Sequence, residues 1–199
     1  MLLHVLARPL INLSSTPHPH PPTPSPHVFT CVGVAQSWVP VYVTGYERRF
    51  FQGSTDHRGT PEAPGRTVTL VPKEGGKVWG ACYLIDGPEE EQVLAEMEVR
   101  EKQYDKRETL QVFGKGGELV CAGALCYIGT PACANWLGPA SDDELAQQIA
   151  TARGPSGPND EYLFRLADAM REYGVADEHL FTLESKVKAV QETLRSISA

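Results

Sequence analysis

The chain has 199 residues, 41% of them hydrophobic, with 25 Asp and Glu against 18 Lys and Arg and a formal net charge of −7. At about 100–200 residues per domain, this is one ordinary acidic domain with enough apolar content for a core of its own. An acidic surface lacks the basic stripe that releases counterions from nucleic acid and is repelled by anionic lipid, so neither polyanion is an expected partner.

Charge is unevenly distributed along the chain. Arg8 is the only charged side chain before Glu47, so residues 1–46 carry +1 and residues 47–199 carry −8. Eight of the 16 prolines fall in the first 40 residues, and the tract His18 to His27 cannot form a helix or join a sheet interior. Residues 1–27 therefore read as a disordered Pro/His-rich head and residues 28–199 as the folded domain. Met1 to Ser15 lacks acids and carries serines, a composition shared with organellar transit peptides, although a single Arg is a weak signal for one.

Next come the strand candidates. Val41–Tyr46, Arg66–Val71, Lys77–Ile85, Arg107–Phe113 and Glu118–Ile128 are rich in β-branched and aromatic residues and bounded by Gly or Pro. Gly75-Gly76 and Gly116-Gly117 each stand between consecutive candidates and predict antiparallel hairpins. Helices are expected over Pro88–Glu98 and over Ser141–Arg153, the latter opened by a Ser141…Glu144 capping box and followed by Gly154. Two more follow Asn159. The last, from about Asp177, sets Leu180, Leu183, Val187, Val190, Leu194 and Ile197 on one stripe that is read as packing on the domain's own sheet. The class is α+β.

No apolar run reaches the roughly 20 residues that span a bilayer. The five cysteines are odd in number and contain no CxxC pair, which predicts neither a disulfide framework nor a zinc site and fits the reducing cytoplasm.

Three constellations bear on chemistry. Gln52 to Gly59 holds Ser54, Asp56, His57 and Arg58 between two strand candidates. It reads as a Ser-His-Asp hydrolase element, as a loop whose Arg58 offers a planar fork to a carboxylate, or as a plain turn on Gly53 and Gly59. Gly154 to Asn159 precedes a helix but lacks the Lys-Ser/Thr ending of a nucleotide loop, so it reads as a connection capped by Asn159. Glu98 to Tyr104 ends a helix. The negative helix end beside Glu101, helped by partial burial, would raise its pKa toward a general acid/base, unless the segment is simply a solvated charge cluster.

Longer words carry a resemblance. Gly45 to Pro61, Pro64 to Leu70, Val78-Trp79-Gly80, Val99 to Asp105, Tyr127-Ile128-Gly129-Thr130, Leu137-Gly138-Pro139-Ala140, Gly154 to Asn159 and Glu161 to Phe164 closely resemble ChaC-type glutathione-specific γ-glutamylcyclotransferases, over about residues 41–190. The Glu101-Lys102-Gln103-Tyr104-Asp105 version resembles the plant and algal branch. The resemblance implies a mixed, partly closed β-barrel flanked by helices that converts glutathione to 5-oxoproline and Cys-Gly without metal or cofactor. It implies Glu101 as catalytic acid/base and Ser54, Arg58 and Tyr127 as substrate-binding positions. Neither the residues nor the resemblance predicts an oligomeric state.

One family feature is missing. Members begin with a strand ending in Tyr-Gly-Ser-Leu, whose backbone amides hold the γ-glutamyl group, and those four residues occur nowhere in the 199. Val28-Phe29 is the expected remnant, and a mis-joined first exon would put such a head on a family body. The expectation is therefore a glutathione cyclotransferase whose turnover is impaired in this polypeptide. The alternatives are a non-catalytic γ-glutamyl-binding or regulatory protein and a cyclotransferase for γ-glutamyl amino acids.

Overall fold

A computed structural model describes residues 4–7, 37–84 and 90–198. The elements run β1 (His4–Ala7), β2 (Ser37–Ser54), β3 (Gly65–Leu84), α1 (Glu90–Arg100), β4 (Lys106–Phe113), β5 (Leu119–Ile128), α2 (Asp142–Thr151), β6 (Arg153–Gly154), β7 (Gly157–Pro158), α3 (Asn159–Glu172) and α4 (Glu178–Ser198). The mixed α+β class is as expected. Five strands follow one another round in the order β1-β3-β2-β4-β5. Two of the joins are single residue pairs, Tyr42 with Phe113 and Leu6 with Leu125, so the curled sheet is held at those seams by isolated contacts rather than ladders.

Within the expected head, β1 lies parallel to β3 with His4 opposite Ala81 and Ala7 opposite Leu84. The rest of the head, and Val28-Phe29, lie outside the described residues. Gly75-Gly76 makes no hairpin, contrary to expectation: the candidates on either side of it belong to one long strand, β3, paired with β2 on both sides of the glycines. Thr44 faces Lys77 and Tyr46 faces Pro72, so Lys73 to Gly76 bulge out opposite Gly45 alone. Gly45 and Gly75 both sit at positive φ, and a Cβ on Gly76 would come within 2.2 Å of the Tyr46 carbonyl. Gly116-Gly117 does make the expected hairpin between β4 and β5, with Gly114 N donating to Glu118 O at 2.9 Å.

Helix ends follow their caps. The Ser141–Glu144 box is formed, Ser141 N donating to Glu144 Oε2 at 2.8 Å and Glu144 N to Ser141 Oγ at 3.3 Å. This helix stops at Thr151, short of Arg153, because Ala152 turns extended and Arg153-Gly154 pair with Gly157-Pro158. Helix α1 runs two residues beyond Glu98, and the expected start at Pro88 lies outside the described residues.

The core has three parts. Val41, Val43, Leu70, Val112, Cys121, Cys126 and Ile128 fill the inside of the curled sheet, the cysteines acting as small apolar side chains. Phe50 and Val68 on the outer face pack under α2, α3 and α4. The α4 stripe is buried at Leu180, Leu183 and Val187, but Ile197 is exposed, so only its first half covers the body. In the third part Val93 and Met97 of α1 pack on Ala81, Tyr83 and Tyr127, which fixes the C-terminal end of α1 over β5.

Candidate active site

Glu101 follows the last residue of α1, its N–H still bonded to Met97 O at 2.8 Å, and the chain then turns so that Tyr104 N donates to Glu101 O at 2.9 Å. The residue is only 3% exposed. Its Oε1 lies 3.4 Å from Arg100 Nε, an ion-pair distance, yet no hydrogen bond reaches that oxygen. Burial pushes the carboxyl above its ordinary value, and the Arg100 guanidinium and the His57 ring oppose the rise. The charge-cluster alternative fails because the carboxyl is buried.

Around it stand tyrosines. Tyr104 is half-buried, its hydroxyl donating to Val68 O at 3.2 Å, and desolvation together with the nearby Glu101 charge raises its phenol. Tyr127, on β5, donates to Glu98 Oε1 at 3.1 Å. Burial, and then its bond to Glu98, push its pKa up to about 12, so it remains a protonated donor at any working pH. Glu98 lies one turn before Glu101 and also pairs with Arg107, 2.6 Å away.

The Gln52–Gly59 loop reaches this turn from the other side. Gln52 Nε2 donates to Gln103 O at 2.6 Å, Gln103 Nε2 to Thr55 Oγ1 at 3.3 Å, and Lys102 Nζ lies 3.5 Å from Asp56. Ser54 is buried, but its Oγ accepts from Arg58 N at 2.9 Å, closing its own loop. His57 Nδ1 pairs with Asp56 at 2.6 Å. With the Ser54 hydroxyl engaged by a backbone amide and the imidazole by the adjacent carboxylate, the hydrolase arrangement is not assembled.

Arg58 departs from expectation. Its side chain, 13% exposed, donates from Nη1 to Glu161 Oε2 at 2.9 Å and to Pro158 O at 3.1 Å. Its fork therefore joins the loop to the start of α3. Asn159 also differs: it is the first residue of α3 and not its cap. Its buried amide pairs with the backbone of Arg66, accepting from Arg66 N at 2.6 Å and donating to Arg66 O at 2.9 Å, as a neighbouring strand would.

Of the four expected positions, Glu101 and Tyr127 stand at the end of α1, Ser54 is buried within its own loop, and Arg58 is diverted to Glu161. Gln52, Thr55, Gln103 and Cys133 were not foreseen. Gln52, Thr55 and Gln103 lie inside segments singled out for other residues, and Cys133 lies in none of them. Among the described residues no group of His, Cys, Asp and Glu is arranged to hold a metal ion.

A family model described as ChaC-like protein matches residues 34–190. Gamma-glutamylcyclotransferase 2-3 of Arabidopsis thaliana is 47% identical over 137 residues, covering 66% of this chain and 69% of the relative. Glutathione-specific gamma-glutamylcyclotransferase 1 of Danio rerio is 43% identical over 129 residues, covering 64% of this chain and 66% of the relative. The match thus spans about two thirds of each of these relatives. A solved yeast γ-glutamylcyclotransferase specific to glutathione superposes with a TM-score of 0.74 at 26% identity, over 81% of this chain and 92% of that one.

Proposed function

The chain belongs to the ChaC-like protein family, and from that premise we propose that it cyclises the γ-glutamyl group of glutathione, releasing 5-oxoproline and Cys-Gly. The observation that carries this reading is the Glu101 carboxyl, buried, without a hydrogen bond at one oxygen and raised above its ordinary pKa by desolvation. A carboxyl raised in this way is better matched to taking and returning a proton than a solvated one. The names of the relatives favour this activity over non-catalytic binding and over a general γ-glutamyl amino acid substrate.

The reaction brings its own nucleophile. The α-amine of the γ-glutamyl group attacks its γ-carbonyl carbon, a C–N bond forms, and the C–N bond to cysteine breaks. The attacking nitrogen passes from ammonium to lactam N–H and gives up two protons, and the cysteine nitrogen gains two on leaving as an ammonium; Glu101 takes each proton from the first nitrogen and delivers it to the second. No electrons change hands and no water is consumed, so the balance closes without a cofactor. Holding the substrate bent supplies most of the acceleration, since well-oriented intramolecular groups reach effective molarities of about 10⁵–10⁸ M. The proton shuttle adds about 10²–10⁴-fold. Ser54 and Tyr127 line the substrate in this reading, and Arg58 acts one step removed by tying the loop to Glu161. The proposed compartment is the cytoplasm; no helix among the described residues is long and apolar enough to cross a membrane.

Lacking Tyr-Gly-Ser-Leu, the 199-residue chain is expected to turn over slowly. Purified chain incubated with glutathione should release Cys-Gly and 5-oxoproline, and a version with Tyr-Gly-Ser-Leu restored ahead of β2 should be faster. Absence of product from both would refute the proposal.

A further inference from the structure

Strand β2 carries one residue too many opposite β3. Arg49 faces Thr69 and Gln52 faces Thr67, leaving Phe50 and Phe51 against Val68 alone. A bulge of this kind breaks the alternation of side chains and re-aims the residue that follows. That residue is Gln52, which is turned into the interior and is 1% exposed.

There Gln52 meets the turn that carries Glu101. Its Nε2 donates to Gln103 O at 2.6 Å and to Cys133 Sγ at 3.3 Å, while Cys133 Sγ donates to the same Gln103 carbonyl at 2.9 Å. One carbonyl, two residues beyond Glu101, thus accepts side-chain bonds from two separate parts of the chain. The Gln103 side chain answers by donating to Thr55 Oγ1 at 3.3 Å. The turn is stapled to the end of β2 from both directions.

A purely structural role fits this amide poorly. Gln52 Oε1 is buried with no hydrogen-bond partner and rests against Gly129, where a Cβ would come within 2.2 Å of it. An apolar side chain of the same volume would avoid that orphaned oxygen, because leaving a buried acceptor unmade costs stability. What an apolar side chain could not do is hold the Gln103 carbonyl.

We propose that Gln52 is a positioning residue for Glu101: by fixing the Gln103 carbonyl it holds the Glu101 turn still and keeps its carboxyl out of water. The proposal rests on the reading of Glu101 as the acid/base, and its test separates the two. Gln52→Met keeps the volume and removes the donor; Cys133→Ala removes the second donor to the same carbonyl. In the protein without substrate, ¹³C-detected titration of the Glu101 carboxyl should move toward the ordinary carboxylate value in Gln52→Met as water reaches the loosened turn. With glutathione, kcat should fall about 10- to 100-fold, the scale of a misplaced catalytic group, with KM within about threefold; Cys133→Ala should show a smaller change of the same kind. An unchanged titration overturns the proposal whether or not glutathione is cleaved. A raised KM with unchanged kcat also overturns it, by making Gln52 a substrate contact. Should Gln52→Met fail to fold, Thr55→Val carries the same test through the Gln103 side chain: a shifted titration supports the staple and an unshifted one refutes it.

Discussion

Glu101→Gln should abolish turnover and at the same time make the protein more stable at neutral pH. The residue is 3% exposed, and one carboxyl oxygen accepts no hydrogen bond. A buried acceptor left unpaired costs about 1–3 kcal/mol, and more when charged. Against this stands the Arg100 contact at 3.4 Å, whose guanidinium is partly exposed to solvent; pairs of that kind contribute about 0–1 kcal/mol. The two ranges differ by about 0–3 kcal/mol, and the charge on the acceptor places the gain of a neutral side chain of the same shape in the upper part, about 1–3 kcal/mol. At about 2–4 °C per kcal/mol for a chain of this size, Tm should rise by about 2–12 °C.

The pH dependence gives a sharper test. The folded pKa lies above the unfolded value of 4.5. The penalty is therefore present above the folded pKa and disappears as pH falls through it toward 4.5, where the buried carboxyl becomes neutral. The advantage of the variant should accordingly be widest at pH 8 and close as the pH approaches 5. Glu101→Met, which brings no buried N–H donors, should show the same sign and the same closing gap. Thermal melts of the three proteins at pH 5, 6, 7 and 8, beside a Cys-Gly release assay, are sufficient. An inactive variant whose Tm difference is zero or negative, or constant across that range, would refute the account of a desolvated acid/base.

Arg58→Met should lower Tm by about 2–6 °C, because it removes the Glu161 pair and the bond to Pro158 O that tie the loop to α3; a 100-fold rise in KM for glutathione without loss of Tm would instead restore the direct carboxylate contact expected from the sequence. His179 is half-buried beside Phe50, its Nε2 buried without a hydrogen bond, and desolvation, then the Arg49 charge, lower its pKa from 6.5. Its unfolded form binds a proton that the folded form resists, so stability should be lost as pH falls below 6.5, opposite in sign to Glu101. Urea midpoints from pH 7.5 to 5 should flatten in His179→Phe, and a parallel acid limb would refute this assignment.

What could be read from the sequence was local. The Ser141–Glu144 box and the Gly116-Gly117 hairpin depend on residues three or four apart, and both formed as expected. Glu101 was legible because a helix end and a recognisable word coincide there. Gly75-Gly76 misled because the same pair that closes a hairpin also permits a bulge, and the choice was made by β2 pairing on both sides of it. Asn159 looked like a cap because its true partner, the Arg66 backbone, lies 93 positions away. The Arg58 fork, expected to wait for a substrate, found Glu161 at a separation of 103.

The bulge at Phe50-Phe51 is the least legible feature and the one on which the site depends most. An extra residue in a ladder leaves carbonyls without strand partners, and buried carbonyls must be satisfied elsewhere. Phe50 O is taken by Arg66 Nη1 at 3.1 Å, and Phe51 O by the amides of Leu137 and Gly138 at 2.8 and 3.2 Å. Arg66 also donates to Gly138 O at 2.7 Å and to Gln148 Oε1 at 2.8 Å, so one buried guanidinium joins the bulge, the loop over it and α2. Its backbone is in turn held by Asn159. A residue whose side-chain bonds run to the bulge, to Gly138 and to α2 thus maintains the irregularity that aims Gln52 at the Glu101 turn. The words Arg66-Thr67-Val68-Thr69-Leu70 and Gly154 to Asn159, which carry no chemistry of their own, are therefore structural conditions of the words that do.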